Sequence, residues 1–537
     1  MVKIYLVAQL LAIGALGAKC PPPGPLLPPP AMPSQFDPAG LQNTINRLVS
    51  NSRKSWNAST NSFSFALSST NNTFFEYHHA AKVRDPTGTK NITGDSAYRI
   101  MSITKLIHTL TLLLTKPYSL DTEISNYLPE LEGVKKYEGV TLRMLVSHSG
   151  GVPRDANAVD LFLMDGENLQ KAGFPTPDPK DVPKCDYIGL GPCSRETFFE
   201  NLQRDKLALM PGQSTGYSNQ AFVLLGMVLK NMTGKSFPEL LREKITQPLG
   251  MSVTGLNPPE RSRGVIPIAP GNVFWGYDIG NYNLTAGLYS TPNELLTLAR
   301  GIMNHKLLSP AATRQWMRPG GFAGSYTTAV GAAWEIYRVS YKDRPIDIYT
   351  KNGGMPGWSA YLVFVPEYNI AGAINSCGDE PDGPANDMLD LLASSVIPTV
   401  DSLARKQARV YVGRYTGPSK SSLELAIDDG PGLRIKTWTN NGKSILDVLA
   451  AENGVKVKDI DVRLYPVGEG NRWRMAVEKV NIRPDKISVP SEACHNWVWV
   501  DAKRYASYPV DEFTFEVQGG RVVGVKNSGL RASLTKE

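Results

Sequence analysis

Ser102 and Lys105 stand three residues apart in "YRIMSITKLIHTLTLLLTK", at the head of an apolar run that reads as a helix. On a helix, residues i and i+3 share a face one turn apart. A hydroxyl at a helix head sits among backbone N–H groups and the positive dipole end, which favour developing negative charge. Such a hydroxyl becomes a nucleophile only when a base takes its proton. Neutral lysine is one such base. Bringing an ammonium from a pKa of ~10.4 to ~7 costs about 4.6 kcal/mol, which burial and a second positive charge supply. The pair alone is a weak signal, because Ser533 and Lys536 repeat the spacing in a polar tail with no helix after it.

Two further motifs follow in chain order. "PGQSTGYSNQAFVLLGMVL" places Tyr217-Ser218-Asn219 just before a strongly apolar helix. A phenol beside two lysines has its anion favoured and can exchange a proton with a serine oxygen or a leaving group. The Asn219 amide is a candidate for holding a substrate carbonyl; a helix cap is the plainer alternative. "YTKNGGMPGWSAYLVF" then presents Lys351-Asn352-Gly353-Gly354, where glycine permits a ligand to approach the backbone closely. Lys351 is expected to hold an anionic substrate group or to depress the other pKa values; a hairpin-turn lysine is the alternative. The N–H groups of Gly354 and Ser102 are expected to form an oxyanion hole. A decoy, Lys171-Ala172-Gly173, precedes Tyr217 in a loop-like stretch.

Ser-x-x-Lys, Tyr-x-Asn and Lys-x-Gly in this order resemble the motif set of serine β-lactamases and penicillin-binding proteins, whose class A members carry the related Ser-x-x-Lys, Ser-Asp-Asn and Lys-Thr-Gly. The tyrosine in the second motif resembles class C β-lactamases and related D-alanyl carboxypeptidases and esterases. "VTLRMLVSHSGGVPRD" and "TAGLYSTPNELLTLAR" are similar to the family's connecting stretches, and the resemblance runs from about Asp37 to Pro398. It implies Ser102 as the acylated nucleophile, Lys105 and Tyr217 as the base pair, and Asn219 as the carbonyl-binding amide. It implies Lys351 as the residue that tunes Tyr217 and faces a substrate carboxylate, with His148 structural. The implied fold is α+β: an antiparallel sheet flanked by helices, with the nucleophile helix central. The third motif departs from the family, with Asn352 where a threonine is usual. That loss of a hydroxyl weakens recognition of a β-lactam or a D-alanine carboxylate. An insertion, Asp155 to Leu207, is expected near the site mouth.

The elements that must position these residues are legible in outline. "LQNTINRLVSN" from Leu41 is helical, and "SFSFALSSTNNTFFEYHHAAKV" alternates like a hairpin turning at Asn71 and Asn72. "NQAFVLLGMVLKNMTG" is an apolar helix stopped by Gly234, and Ser290 or Thr291 caps "STPNELLTLARGIMNH". "DIYTKNGGMPGWSAYLVFVPEYNIAGAIN" reads as two strands around a Gly-rich turn. After residue 400, short alternating strands with Gly/Asp turns indicate a separate β-rich, barrel-like domain over 401–537. Tails of that kind resemble those of secreted fungal β-lactamase-like proteins. The catalytic domain is expected over 39–400, and "ARKQARV" near its end reads as a helix end or linker.

Composition is ordinary for a globular chain: 537 residues, 42% hydrophobic, with a formal net charge of +7. No basic block points to nucleic acid, and six His and five Cys carry no metal-ligand spacing. Neither a metal nor a cofactor is expected. Residues 1–18 read as a secretory signal and 19–38 as a Pro-rich lead-in, so the mature chain is expected outside the cell, off the membrane and monomeric. Sequons at Asn57, Asn71, Asn91, Asn231 and Asn283 fit an exported glycoprotein. Cys185 and Cys193 are close enough to staple a loop, while the pairing of Cys20, Cys377 and Cys494 stays open. Trp275 and Trp358 are candidates for an acyl pocket, with core packing as the alternative.

Three functions are compatible with these residues. The leading one is a serine hydrolase acting through an acyl-Ser102 on a small-molecule ester, amide or lactam. The second passes the acyl group to an alcohol or amine, as β-lactamase-fold enzymes that tailor fungal polyketides do. The third is a scaffold without turnover, against which the intact Ser102, Lys105, Tyr217 and Lys351 stand.

Overall fold

The computed structural model describes residues 24–51, 56–115, 119–187, 189–342, 344–468, 470–479, 498 and 500–537. The expected signal segment, Cys20 and Cys494 lie outside them. Two compact units divide the chain: residues 32–339 with 347–397, and the N-terminal stretch to 31 with 340–346 and 398–537.

The larger unit is built on an eight-stranded sheet. Its strands are β1 (Ser62–Ser69), β2 (Thr73–His79), β3 (Pro319–Phe322), β4 (Thr328–Gly331), β5 (Glu335–Tyr341), β6 (Arg344–Met355), β7 (Trp358–Val365) and β8 (Ile370–Cys377). They lie in the order β2-β1-β8-β7-β6-β5-β4-β3, and the hairpin of β1 and β2 turns at Asn71 and Asn72. Every residue of β1, β7 and β8 is buried, so both faces of the sheet centre are covered. Helices supply that cover. Pro292–Met303 packs on β1 and β8, and Asp382–Leu391 on β7 and β8.

Helix α1 (Leu41–Ser50) opens this unit and buries Leu41 and Ile45. Helix α2 (Ile103–Leu113) is buried all round from Ile103 to Leu112, as an apolar helix inside a domain must be. It packs against α3 (Gln220–Thr233), which ends at Gly234 in the left-handed conformation. For Pro292–Met303, Thr291 is the cap: its hydroxyl accepts the Glu294 N–H at 3.1 Å.

The segment from Asp347 onward differs from the two-strand reading. It belongs to three strands, and Lys351 to Gly354 lie inside β6 rather than in a turn, opposite Leu362 to Ser359 of β7. The chain turns at Pro356 and Gly357 instead, and again at Pro366–Tyr368, where Asn369 takes the left-handed conformation. The glycines there serve proximity, because a Cβ on Gly353 would lie 2.7 Å from the Ser102 nitrogen. Trp275 and Trp358 are core residues, and their indole N–H groups donate to the carbonyls of Pro259 and Val265.

The smaller unit holds eight strands in a closed ring: Gly413–Gly417, Ser421–Ala426, Leu433–Asn440, Ile460–Pro466, Arg472–Lys479, Glu512–Gln518, Arg521–Asn527 and Ala532–Lys536. Pairing of the second with the third, Leu423 opposite Trp438, closes the barrel. Its interior is filled by Tyr415, Trp438, Trp473, Phe513 and Phe515, all nearly inaccessible. "ARKQARV" falls at the end of helix Ile397–Gln407 and in the single 3-10 turn that follows.

Candidate active site

Ser102 immediately precedes α2, on a turn in which Met101 takes φ +43°. A non-glycine residue there is held by its surroundings, and Met101 is fully buried. The Ser102 side chain does not cap its own helix. Its oxygen instead lies 2.9 Å from Lys105 Nζ and 2.8 Å from the Tyr217 hydroxyl. Lys105 also donates to the Thr285 carbonyl at 3.0 Å. This ammonium is inaccessible to solvent. Burial is the chief cause that pulls the Lys105 pKa down, with the Lys351 charge adding to it and Tyr217 opposing.

Tyr217 is presented by the loop before α3, and the loop is tied by its neighbours. Ser218 caps the helix, its oxygen accepting the Ala221 N–H at 2.9 Å while its hydroxyl donates to the Pro153 carbonyl at 2.8 Å. The Ser218 N–H donates to His148 Nδ1 at 3.1 Å, and the His148 ring stacks on Tyr217 with centroids 4.5 Å apart. A nitrogen that accepts is unprotonated, and burial first, then Lys105, Lys351 and Arg154, hold His148 well below the usual imidazole range. It is a neutral positioning residue.

Three cations surround the Tyr217 ring: Lys105 Nζ at 5.1 Å, Lys351 Nζ at 5.3 Å and the Arg154 guanidinium at 5.0 Å from its centroid. Burial alone raises the phenol pKa; the charges of Lys105 and Lys351 outweigh it and the net shift is downward. The Tyr217 hydroxyl donates to the Ser102 oxygen at 2.8 Å, and the two lysine charges ease its ionisation.

With the cap supplied by Ser218, the Asn219 side chain is free of the helix end, and its amide donates to Asp155 Oδ1. Asp155 also accepts Arg154 Nε at 2.8 Å. Asp155 opens the insertion, which carries the Cys185–Cys193 disulfide and the helices Leu161–Lys171 and Arg195–Arg204. Apolar side chains stand exposed along its first part, among them Leu161, Phe162 and Met164.

Lys351 reaches the site from β6 with its three N–H groups matched: Glu335 Oε1 at 2.6 Å, the Asn352 carbonyl at 2.8 Å and Asn352 Oδ1 at 3.1 Å. Burial opposes its charge, but Glu335 overcomes this and the ammonium is held above its ordinary range. Gly353 lies against the Ser102 turn, where a Cβ would also meet Met101 at 3.0 Å, whereas Gly354 faces space with nothing within 4 Å. Of the decoys, Lys171 ends an exposed helix of the insertion, and Ser533 and Lys536 belong to the last barrel strand of the smaller unit.

Three partners escaped the sequence reading. Glu335 stands 16 residues before Lys351, and only the pairing of β5 with β6 brings the two together. Arg154 and Asp155 lie inside the stretch "SHSGGVPRD", where nothing local marks them as neighbours of Asn219.

The sheet, the buried helix headed by Ser102 and the three clustered motifs define a β-lactamase/transpeptidase-like hydrolase fold. The chain belongs to the Beta-lactamase family, which matches residues 64–396, and residues 403–537 match a family described as Beta-lactamase-like-like, C-terminal domain. It is 30% identical to the Beta-lactamase-like protein of Arthroderma benhamiae, an alignment covering 96% of each chain. It is 26% identical to the Probable hydrolase M10 of a Phoma species, over 99% of this chain and 93% of the relative. The D-alanyl-D-alanine-carboxypeptidase/endopeptidase AmpH of Escherichia coli is 27% identical over 51% of this chain and 69% of its own length.

Proposed function

We propose that this protein is a serine hydrolase that cleaves an ester, amide or lactam through an acyl-Ser102 intermediate. The observation that carries the reading is the convergence of Lys105 Nζ and the Tyr217 hydroxyl on the Ser102 oxygen at 2.9 and 2.8 Å. The proton of Ser102 passes to the Tyr217 oxygen, with the Lys105 charge beside it, as the serine oxygen bonds to the substrate carbonyl carbon. The N–H groups of Ser102 and Gly354 hold the resulting oxyanion. Tyr217 returns the proton to the departing alkoxide or amide nitrogen as its bond to carbon breaks. A water then repeats the sequence: its proton goes to Tyr217, its oxygen bonds to the acyl carbon, and Ser102 leaves reprotonated. Asn219 orients the substrate carbonyl.

Two relatives named as probable hydrolases, one of a Phoma species and one of Cochliobolus lunatus, support this reading. Passage of the acyl group to an alcohol or amine would differ only in which nucleophile meets the acyl-enzyme. An exported chain fits the Cys185–Cys193 disulfide and the sequons.

The test is p-nitrophenol release from a short-chain p-nitrophenyl ester. Turnover by the wild type and a loss of at least about a thousandfold in Ser102→Ala are expected. Equal rates near background would sink the reading. Product appearing only with an added alcohol or amine would move the assignment to acyl transfer.

A further inference from the structure

A lysine at the third motif is suited to gripping a substrate carboxylate only if it has a hydrogen and a charge to offer. Lys351 has neither. Its side chain is 1% exposed. An ammonium carries three donors, and all three are taken by Glu335 and Asn352. Glu335 is fixed at both oxygens, since Oε2 accepts the Asn352 N–H at 3.0 Å while Oε1 holds Lys351. The carboxylate therefore pins the strand at the motif and neutralises its lysine.

The other charged groups around the site have partners too. Arg154, at the exposed side of the Tyr217 ring, is matched by Asp155. Lys105 is enclosed and bonded to Ser102 and the Thr285 carbonyl. His148 is neutral, its Nδ1 taken by the Ser218 N–H. Lys351 and Arg154 thus face Glu335 and Asp155, while Lys105 lies against Ser102 and the Tyr217 ring. A further anion at the third motif would find every Lys351 hydrogen taken, and its desolvation would go uncompensated there.

Resting on the acyl-serine reading above, we propose that Glu335 is a specificity-determining positioning residue: by saturating Lys351 it restricts the site to substrates uncharged next to the scissile carbonyl. Esters and neutral amides satisfy this. Lactams and peptides that present a free carboxylate at that position do not. Asn352 serves the same end, because its side-chain oxygen occupies the lysine hydrogen that a shorter residue would leave open.

The experiment compares two boronic acids, to whose boron the Ser102 oxygen adds as it would to an acyl carbon. One is 3-carboxyphenylboronic acid, the other its methyl ester, and dissociation constants are measured by calorimetry on the full chain. The wild type is expected to bind the ester at least about tenfold more tightly, the equivalent of one missing charge-assisted hydrogen bond. Glu335→Gln is expected to cut that ratio at least about fivefold, and Glu335→Asp, which keeps the charge, to preserve it. A wild type that binds the acid as well as the ester overturns the proposal and leaves the hydrolase reading intact. So does an unchanged ratio in a Glu335→Gln protein that still melts cooperatively. Binding of neither boronate overturns the acyl-serine reading and this inference with it.

Discussion

A single phenol with three cations within about 5 Å of its ring is the chemical centre of the site. Each cation has a bonded partner of its own: Ser102 and Thr285 for Lys105, Glu335 and Asn352 for Lys351, Asp155 for Arg154. Lys351 matters through its field, and this gives a prediction. The competent form has Tyr217 deprotonated, so kcat/KM should rise with pH through a pKa below the ordinary phenol value. Replacing Lys351 with Gln removes a charge that lowers that pKa, and the acid limb should move to higher pH. An unmoved limb would mean that Lys351 does not tune Tyr217. Tyr217→Phe should lower kcat by about 10²–10⁴-fold with KM little changed, as removal of a proton-transfer group does. Steady-state kinetics on a neutral ester would show it.

At the level of elements, β6 must run close beneath the nucleophile turn. Gly353 makes that approach possible, whereas Gly354 opens on free space. Gly353→Ala should therefore push the Ser102 turn out of place, costing about 1–3 kcal/mol of stability and on the order of 10²-fold in kcat. Gly354→Ala should melt like the wild type. Thermal denaturation with kinetics separates the two, and equal behaviour would contradict the packing described. The same contrast explains what could be read beforehand. Ser102 and Lys105 were legible because i, i+3 on a helix is a local relation, and the Tyr217 loop because an apolar helix follows it. The glycines of "KNGGMPG" signal a turn by composition, yet only Pro356 and Gly357 make it. Gly353 is set by the helix head across from it, which no local pattern contains. Glu335 was invisible for the same reason: strand pairing joins it to Lys351 across 16 residues.

Over the whole molecule, the family match ends at residue 396 and a second begins at 403, so the chain joins two separately recognisable parts. The barrel strands of the second were legible from their alternation, but closure of the ring depends on Leu423 meeting Trp438, a register that alternation does not specify. An exported chain predicts a glycan pattern. Asn57, Asn71 and Asn91 are exposed, whereas Asn283 is half-buried with its amide donated to Asp278. Glycopeptide mapping after eukaryotic secretion should find sugar on the first three and little on Asn283; full occupancy there would contradict the burial. The central claim is an acyl group carried by Ser102, and the most direct test is peptide mapping by mass spectrometry after brief acid quenching of a p-nitrophenyl ester reaction. The account predicts the acyl mass on the peptide containing Ser102, absent in Ser102→Ala. An adduct on another residue, or turnover that persists in Ser102→Ala, would contradict it.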